Sequence, residues 1–555
     1  MERVSARMTN RKAQSETVSH PGRINKLSRL SQRLHDPEWR RYGYLLMGGK
    51  VLGIGFLLGS IFLIKSLIGA PVHADDAAAA AAPVLTGNDV VNPLNTVWTL
   101  VAAFLVFGMQ PGFTMLEAGF CRSRETVNVL MECIVDTCLC GLLFYAWGFA
   151  FMFGSGNPIF GTEFFFLQGA PATYGTSGVA FLAFWIFQYA FADTCSTITS
   201  GAMIGRTGFV GDLIYSVGVS GFIYPIFGHW AWGPDGWLAT MGTEGNVFAS
   251  LGMGFHDFAG STVVHSIGGF VALAGAIVLG PRIGRKFKRD GGGPMLPHDL
   301  TIATVGGFIL WFGWYGFNPG STLSAMDFEG IGRIATNTTL AACAAGLAAM
   351  FFAFPKTKTW DVSFTVNGFL AGLVAITCPC YWVSPTGAIL LGGIAGVIVV
   401  LGVDLLEYLR IDDPIGAVPV HGICGVWGTL SLGLFASGQF GATGPLSADN
   451  SAPLTGLFYG GGFTVLTAQI IGSAAISISV FVTTLVMMYA INALGILRVE
   501  EEGELQGLDL FEHGIPAYPE YVLHTAATPQ GTPAFTSSAY PTTSRAPATA
   551  VGAHK

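Results

Sequence analysis

Between Pro93 and Leu497 the chain carries about eleven apolar stretches, each near the roughly 20 residues that a helix needs to cross a bilayer. They lie near 94–119, 127–153, 177–203, 209–232, 257–280, 299–318, 334–354, 362–378, 385–409, 415–436 and 462–495. Charge is correspondingly scarce, at 11% of 555 residues against 51% hydrophobic ones. A soluble protein carries roughly 25% charged residues, so this chain could not cover soluble cores of its size. The pattern is also wrong for a disordered chain, a coiled coil or collagen. It predicts an all-α polytopic membrane protein. The 76 glycines and 42 phenylalanines suit close helix packing with aromatic fill. A net charge of −7 gives no reason to expect nucleic-acid binding. Most of the nine cysteines, such as Cys133, Cys140, Cys195 and Cys424, sit inside apolar runs without zinc-ligand spacing to histidines, and read as packing residues. Cys378 and Cys380 form an isolated pair.

The ends differ from this core. Residues 1–74 begin polar and basic, from Arg3 to Arg41, then run through a short apolar stretch, Val51 to Ile64, to Val72-His73-Ala74. That order resembles a secretory signal peptide with a long front. A retained anchor helix is the alternative, and Lys65 interrupts its run. Residues 75–92 read as a linker, 93–497 as the membrane domain, 498–521 as a cytoplasmic segment and 522–555, rich in Thr, Ser, Pro and Ala, as a disordered tail. One alternating set of loops holds Arg122, Arg124, Arg206, Arg282, Arg285, Lys286, Lys288, Arg289, Lys356, Lys358, Arg410 and Arg498; the other holds Arg333. Basic loops stay cytoplasmic, which predicts an outside N-terminus and a cytoplasmic C-terminus. A cleaved signal peptide predicts the same.

An odd span count often conceals two inverted halves plus one extra helix. Phe107-Gly108 then Pro111-Gly112 in span one has a counterpart in Phe312-Gly313 then Pro319-Gly320 of span six. Span five holds His265 and span ten holds His421. With five spans per half, the two histidines would meet near the midplane. Ionisable groups inside a membrane are costly and mark functional positions, and histidine can hold or pass a proton near neutral pH. Two separate imidazoles, each bonded to a helix carbonyl, are the alternative. Asp257 opens its helix at the outer surface, where it can cap backbone N–H groups or help attract a cation. Trp230 and Trp237 read as interfacial belt residues, while Trp232 beside them could hold a cation on its ring face.

Taken together, Met115-Leu-Glu-Ala-Gly119, Phe187-Gln-Tyr-Ala-Phe191, HWAWGPDGW (229–237), DFAGSTVVHS (257–266), GPRIGR (280–285), LWFGWYGFNPGS (310–321), Asp412-Asp413-Pro414, VHGICGVWG (420–428) and LRVEEEGELQGLDLFEHG (497–514) closely resemble the ammonium transporter (Amt/Rh) family, Amt branch. The match runs from about 93 to 518. The resemblance implies eleven transmembrane helices per subunit, in two inverted five-helix halves plus a final helix, a trimer, and one pore per subunit. It implies an outer ammonium-recruitment site of Trp232, Phe191 and Ser321 supported by Asp257, a phenyl gate of Phe191 and Phe317, and the pore pair His265 and His421. It further implies a cell-membrane location and a PII-type signalling protein as partner at the cytoplasmic face. No cofactor or metal is expected, and no nucleophile–base set or nucleotide loop suggests an enzyme.

Two positions depart from the family pattern. Asp193 stands two residues past Phe191, about 200° around the helix and so toward a neighbouring helix. Gly205, before Arg206, replaces a family glutamate and puts one cytoplasmic salt bridge in doubt. The expected function is transport that recruits ammonium, deprotonates it and conducts ammonia, with the proton relayed or left behind. An electroneutral gas channel and an ammonium sensor are the alternatives; the aromatic mouth argues against the first. Sensor members usually append a cytoplasmic signalling domain, and the tail has the wrong composition for one.

Overall fold

Apolar helices account for almost all regular structure in the computed structural model, which describes residues 87–176, 178–440 and 453–519. The N-terminal region 1–74, most of the expected linker and the tail 522–555 lie outside the described residues. In chain order the bundle comprises α1 (Gly87–Phe120), α2 (Ser123–Phe153), α3 (Phe181–Gly201), α4 (Phe209–Trp232), α5 (Ser261–Leu279), α6 (Leu300–Thr322), α7 (Phe328–Thr357), α8 (Val362–Thr377), α9 (Pro385–Leu409), α10 (Val418–Phe435) and α11 (Thr464–Ala493). Two short helices follow, α12 (Glu501–Gln506) and α13 (Leu508–His513). A two-residue hairpin, β1 (Thr173–Tyr174) against β2 (Val179–Ala180), lies in the connection before α3.

Nine of these helices among the described residues are long and apolar enough to cross a membrane. The other two are α3, whose second half is rich in polar residues, and α8, which is apolar but short. Every residue of α3 from Ala190 to Gly201 is buried, as is every residue of α8 from Val366 to Thr377. A helix walled by protein need not satisfy lipid, so α3 can carry Asp193 and a run of Thr and Ser. Helix α8, with 16 residues, rises only about 24 Å.

Local sequence starts several helices. Asp299, Asp327, Asp361 and Ser384 accept backbone N–H groups at the first turns of α6, α7, α8 and α9. Small residues then set the crossings. A methyl group at Gly306 of α6 would sit 2.6 Å from the Gly112 carbonyl of α1, so these backbones touch. Helices α5 and α10 cross the same way. A methyl at Gly269 would lie 2.5 Å from Gly422 Cα and 2.9 Å from the His421 carbonyl carbon. Each of these two helices opens on a wide π-helical turn, Ser261–Ser266 and Val418–Ile423, and each turn holds one histidine.

At the basic face the chain returns to its own bundle. Arg124 donates to the Leu505 carbonyl at 2.8 Å, and Glu504 accepts from Arg498 at 2.8 Å. Asp412 accepts two side-chain hydrogen bonds from Arg282, at 2.8 and 3.0 Å. Burial alone would push the Asp412 carboxyl up; the Arg282 hydrogen bonds outweigh it and hold the group well below the usual carboxylate range. Among the described residues Arg206 forms no ion pair within contact distance of a carboxylate. It donates instead to the carbonyls of Gly280, Ile204 and Asp412. Gly205 adopts φ +83°, and a side chain there would meet the Glu125 carboxylate at 2.7 Å. Loss of the family glutamate therefore leaves Arg206 held by backbone oxygen, with Glu125 in the space beside Gly205.

Candidate functional site

The histidine pair is set by two matching segments. In Asp257–His265, the aspartate accepts from the N–H groups of Gly260, Ser261, Thr262 and Val263 at 2.8–3.0 Å. In Asp413–His421, the aspartate accepts from Gly416, Ala417 and Val418 at 2.8–3.1 Å. Burial pushes the Asp413 carboxyl up to about 6, against those three N–H contacts. The spacing from aspartate to histidine is the same in both segments. Each carboxylate fixes the first turn, the turn places the imidazole, and the Gly269–Gly422 crossing brings the two rings together.

His421 Nδ1 and His265 Nδ1 are 3.2 Å apart. Both rings are buried, and among the described residues His265 Nε2 has no hydrogen-bond partner. A hydrogen bond between two Nδ1 atoms requires one to carry a proton and the other to be bare. Two neutral rings are thus opposite tautomers. The alternative of two separate imidazoles bonded to helix carbonyls is replaced by a single bonded pair.

Aromatic rings continue outward from His265. Phe317 stacks on it, with centroids 5.4 Å apart, and Phe191 stacks on Phe317 at 4.0 Å and 20°. Trp232 meets Phe191 edge-on at 6.1 Å. On the other side, Phe113 lies 6.4 Å from His421, while Trp314 backs His265 at 5.2 Å. Five of the expected residues, Trp232, Phe191, Phe317, His265 and His421, therefore form one contiguous chain. The other two join by different atoms. Ser321 donates its hydroxyl to the Phe317 carbonyl at 2.8 Å, and Asp257 meets Trp232 through its backbone carbonyl, which accepts the indole N–H at 2.8 Å. The Asp257 carboxylate is committed to its helix turn.

A family model described as Ammonium Transporter Family matches residues 97–518. The chain belongs to that family. It is 44% identical over 433 residues to ammonium transporter Amt2 of Archaeoglobus fulgidus, covering 78% of this chain and 89% of the relative. It is 38% identical to ammonium transporter 1 member 3 of Solanum lycopersicum, with 77% and 94% covered. Among solved structures it resembles a sensor Amt protein (35% identity, TM-score 0.67, 77% of this chain and 99% of that one). It also resembles Candida albicans Mep2 (27% identity, TM-score 0.67, 79% and 94%). This ammonium transporter family member is thus a multi-pass membrane protein whose relatives are transporters rather than enzymes.

Sequence reasoning passed over three residues of this arrangement. Asp413 was visible only as part of a motif, although the repeated Asp-to-His spacing marks it as the counterpart of Asp257. Phe113 and Trp314 carried no separate signal, since aromatic residues are common in apolar helices. Asp193 is completely buried, with Gln110 and Thr137 beside its carboxylate.

Proposed function

We propose that the protein recruits ammonium at the outer aromatic site of Trp232, Phe191 and Ser321, takes a proton from it, and passes ammonia between Phe191 and Phe317 to the His265–His421 pair. The observation that carries this reading is the unbroken ring stack Phe191–Phe317–His265, buried along its length. An intact cation entering such a passage loses its water without gaining a counter-charge, at a cost of several kcal/mol. A small neutral amine loses on the order of 1–3 kcal/mol of hydrogen bonding, and an imidazole nitrogen can restore part of it. Potassium resembles ammonium in charge and size but has no proton to give up. Selectivity then rests on the stack and the pair together, with Trp232 gathering the cation by its ring face.

The basic loops favour a cell-membrane orientation with the N-terminal end of the bundle outside and α12–α13 in the cytoplasm. Family resemblance supports a homotrimer with a PII-type protein as partner at that face. The likeness to a sensor Amt protein favours one second reading, an ammonium sensor. Purified protein in proteoliposomes separates them. An ammonium jump, with potassium as control and a lumenal pH dye in the same vesicles, reads charge and ammonia at once. Ammonium-specific current supports transport with proton relay. Lumenal alkalinisation without current makes it a neutral ammonia channel, and neither signal leaves the sensor reading.

A further inference from the structure

A single hydrogen bond holds the His265 ring. Its Nδ1 meets His421 Nδ1 at 3.2 Å, and among the described residues its Nε2 has no hydrogen-bond partner. One such bond fixes a distance but leaves the imidazole free to turn about it. The plane of the ring must then be set by what lies against its faces. Two rings of α6 do this. Phe317 is stacked on it at 5.4 Å and 27°, and Trp314, three residues earlier, at 5.2 Å and 21°. Phe317 is pressed in turn by Phe191. Trp314 is subject to a different constraint, because a fully buried indole must also find an acceptor for its N–H.

That acceptor is the Thr377 hydroxyl at the end of α8, 2.9 Å from Trp314 Nε1. The same hydroxyl donates to the Leu373 carbonyl at 2.7 Å. Its one proton is thus committed, and toward the indole it acts as an acceptor. Donor meets acceptor without a competing arrangement, so the bond fixes the rotation of the indole. Both side chains are 0% exposed, and a buried N–H deprived of its acceptor is costly.

The main chain around Thr377 is tied to the other side of His265. The Thr377 carbonyl accepts the Ala259 N–H at 3.2 Å, and the Cys378 carbonyl accepts the Phe258 N–H at 3.4 Å. The Ser261 hydroxyl cross-links the same two segments, donating to the Val374 carbonyl at 2.7 Å and accepting the Cys378 N–H at 2.7 Å. Phe258, Ala259 and Ser261 belong to the Asp257–His265 segment that carries the imidazole. The end of α8 therefore grips the backbone ahead of His265 and, through one hydroxyl, the ring behind it. Thr377 takes part in both ties.

We propose that Thr377 is a positioning residue for the pore pair. Its hydroxyl locks Trp314 against His265, and the locked indole keeps the imidazole in the plane that lets its Nδ1 meet that of His421. The consequence for conduction rests on the transport reading above; the positioning itself does not. Valine in place of Thr377 keeps the shape and removes the acceptor. The indole N–H is then buried without a partner and turns toward another one, which takes its face off His265. The bonds at Thr377 involve neither Trp232 nor Ser321, so recruitment is untouched and the step after it slows.

Solid-state nitrogen NMR of the isotope-labelled full chain in lipid reads the geometry without transport. The wild type should show a hydrogen-bonded Trp314 indole N–H, assigned by its loss in Trp314→Phe, and a coupling across the bond between His265 and His421. Thr377→Val should shift the indole signal and weaken or abolish the coupling, while Thr377→Ser, which keeps an acceptor, should retain both. A wild type lacking either signal, or a coupling in Thr377→Val equal to wild type, overturns the proposal. In proteoliposomes, Thr377→Val should lower the maximal rate of ammonia delivery about tenfold, the rate effect of one neutral hydrogen bond. The half-saturating ammonium concentration should stay as in the wild type, and Thr377→Ser should recover most of the rate. An unchanged maximal rate overturns the proposal. A loss that Thr377→Ser does not relieve, or one matched by an equal rise in the half-saturating concentration, marks a general disturbance of the fold and overturns it equally. Wild-type vesicles showing neither current nor ammonia flux would sink the transport reading instead, and the nitrogen spectra would still decide the positioning.

Discussion

Gly269→Ala tests whether backbone contact between α5 and α10 sets the imidazole spacing. The added methyl would lie 2.5 Å from Gly422 Cα and 2.9 Å from the His421 carbonyl carbon, both main-chain atoms that cannot rotate away. Carbon atoms settle at about 3.5–4.0 Å, so the helices must part by roughly 1 Å. His265 precedes Gly269 by one turn and His421 is adjacent to Gly422, so the displacement passes to both rings. A pair at 3.2 Å then opens to about 4 Å, beyond hydrogen-bonding range. Overpacking of this kind costs about 1–3 kcal/mol, and the lost bond about another 1 kcal/mol. The expected result is a protein that still purifies from membranes, melts several degrees lower, and carries ammonium-specific current about tenfold weaker. Current and melting temperature both equal to wild type would refute the idea that this crossing sets the spacing.

Replacing Trp232 with Leu removes the ring face proposed to hold the cation and the hydrogen bond to the Asp257 carbonyl; a loss of about 1–2 kcal/mol should raise the half-saturating ammonium concentration roughly 5–30-fold, and an unchanged concentration dependence would remove Trp232 from recruitment. The double substitution His265→Ala with His421→Ala should abolish ammonium-specific current or let potassium through, and selective current at the wild-type level would show that the pair is not the relay. Asp412→Asn breaks a buried pair with Arg282 and should cost about 3 kcal/mol at neutral pH, read as a lower melting temperature. Because the native Asp412 carboxyl sits below its unfolded value, that stabilisation is full above about pH 4 and is lost as pH falls toward the native value. The melting difference between wild type and variant should therefore shrink in acid, and a difference independent of pH would contradict the ion-pair account.

The span pattern was legible because lipid demands it. Helices α4 and α9 begin and end where the apolar runs at 209–232 and 385–409 do, since both turn a large face outward. That signal weakened where protein replaces lipid as neighbour. Helix α3 keeps Asp193, Thr194, Ser196, Thr197, Thr199 and Ser200 in one buried run, a composition that hydropathy alone would not choose for a span. Its place was still read among the apolar stretches, at 177–203, because the first half from Phe181 to Phe191 is almost wholly apolar. Residue identities along the pore were legible for the same reason, whereas distances were not: nothing in a linear string says that two histidines far apart meet through Nδ1. The α2 carboxyls are a different case. Asn128, Glu132 and Asp136 follow a four-residue period, and in a membrane helix such a face must turn inward.

The two aspartate-to-histidine segments explain why the pore can be both buried and ordered. A lone imidazole inside an apolar passage would choose among rotamers and partners, since no polar neighbour would fix it. Here each histidine follows a carboxylate that satisfies the first N–H groups of its helix, so the turn ahead of it is stiff before the rings meet. A wide π-helical turn then carries each ring, and glycine at the crossing removes the side chains that would hold the helices apart. Order comes from backbone capping, and closeness from the lack of bulk. Neither needs a charge at the rings themselves, so on the proposed reading a construction that would keep out a cation can still hold two imidazoles within one hydrogen bond of each other.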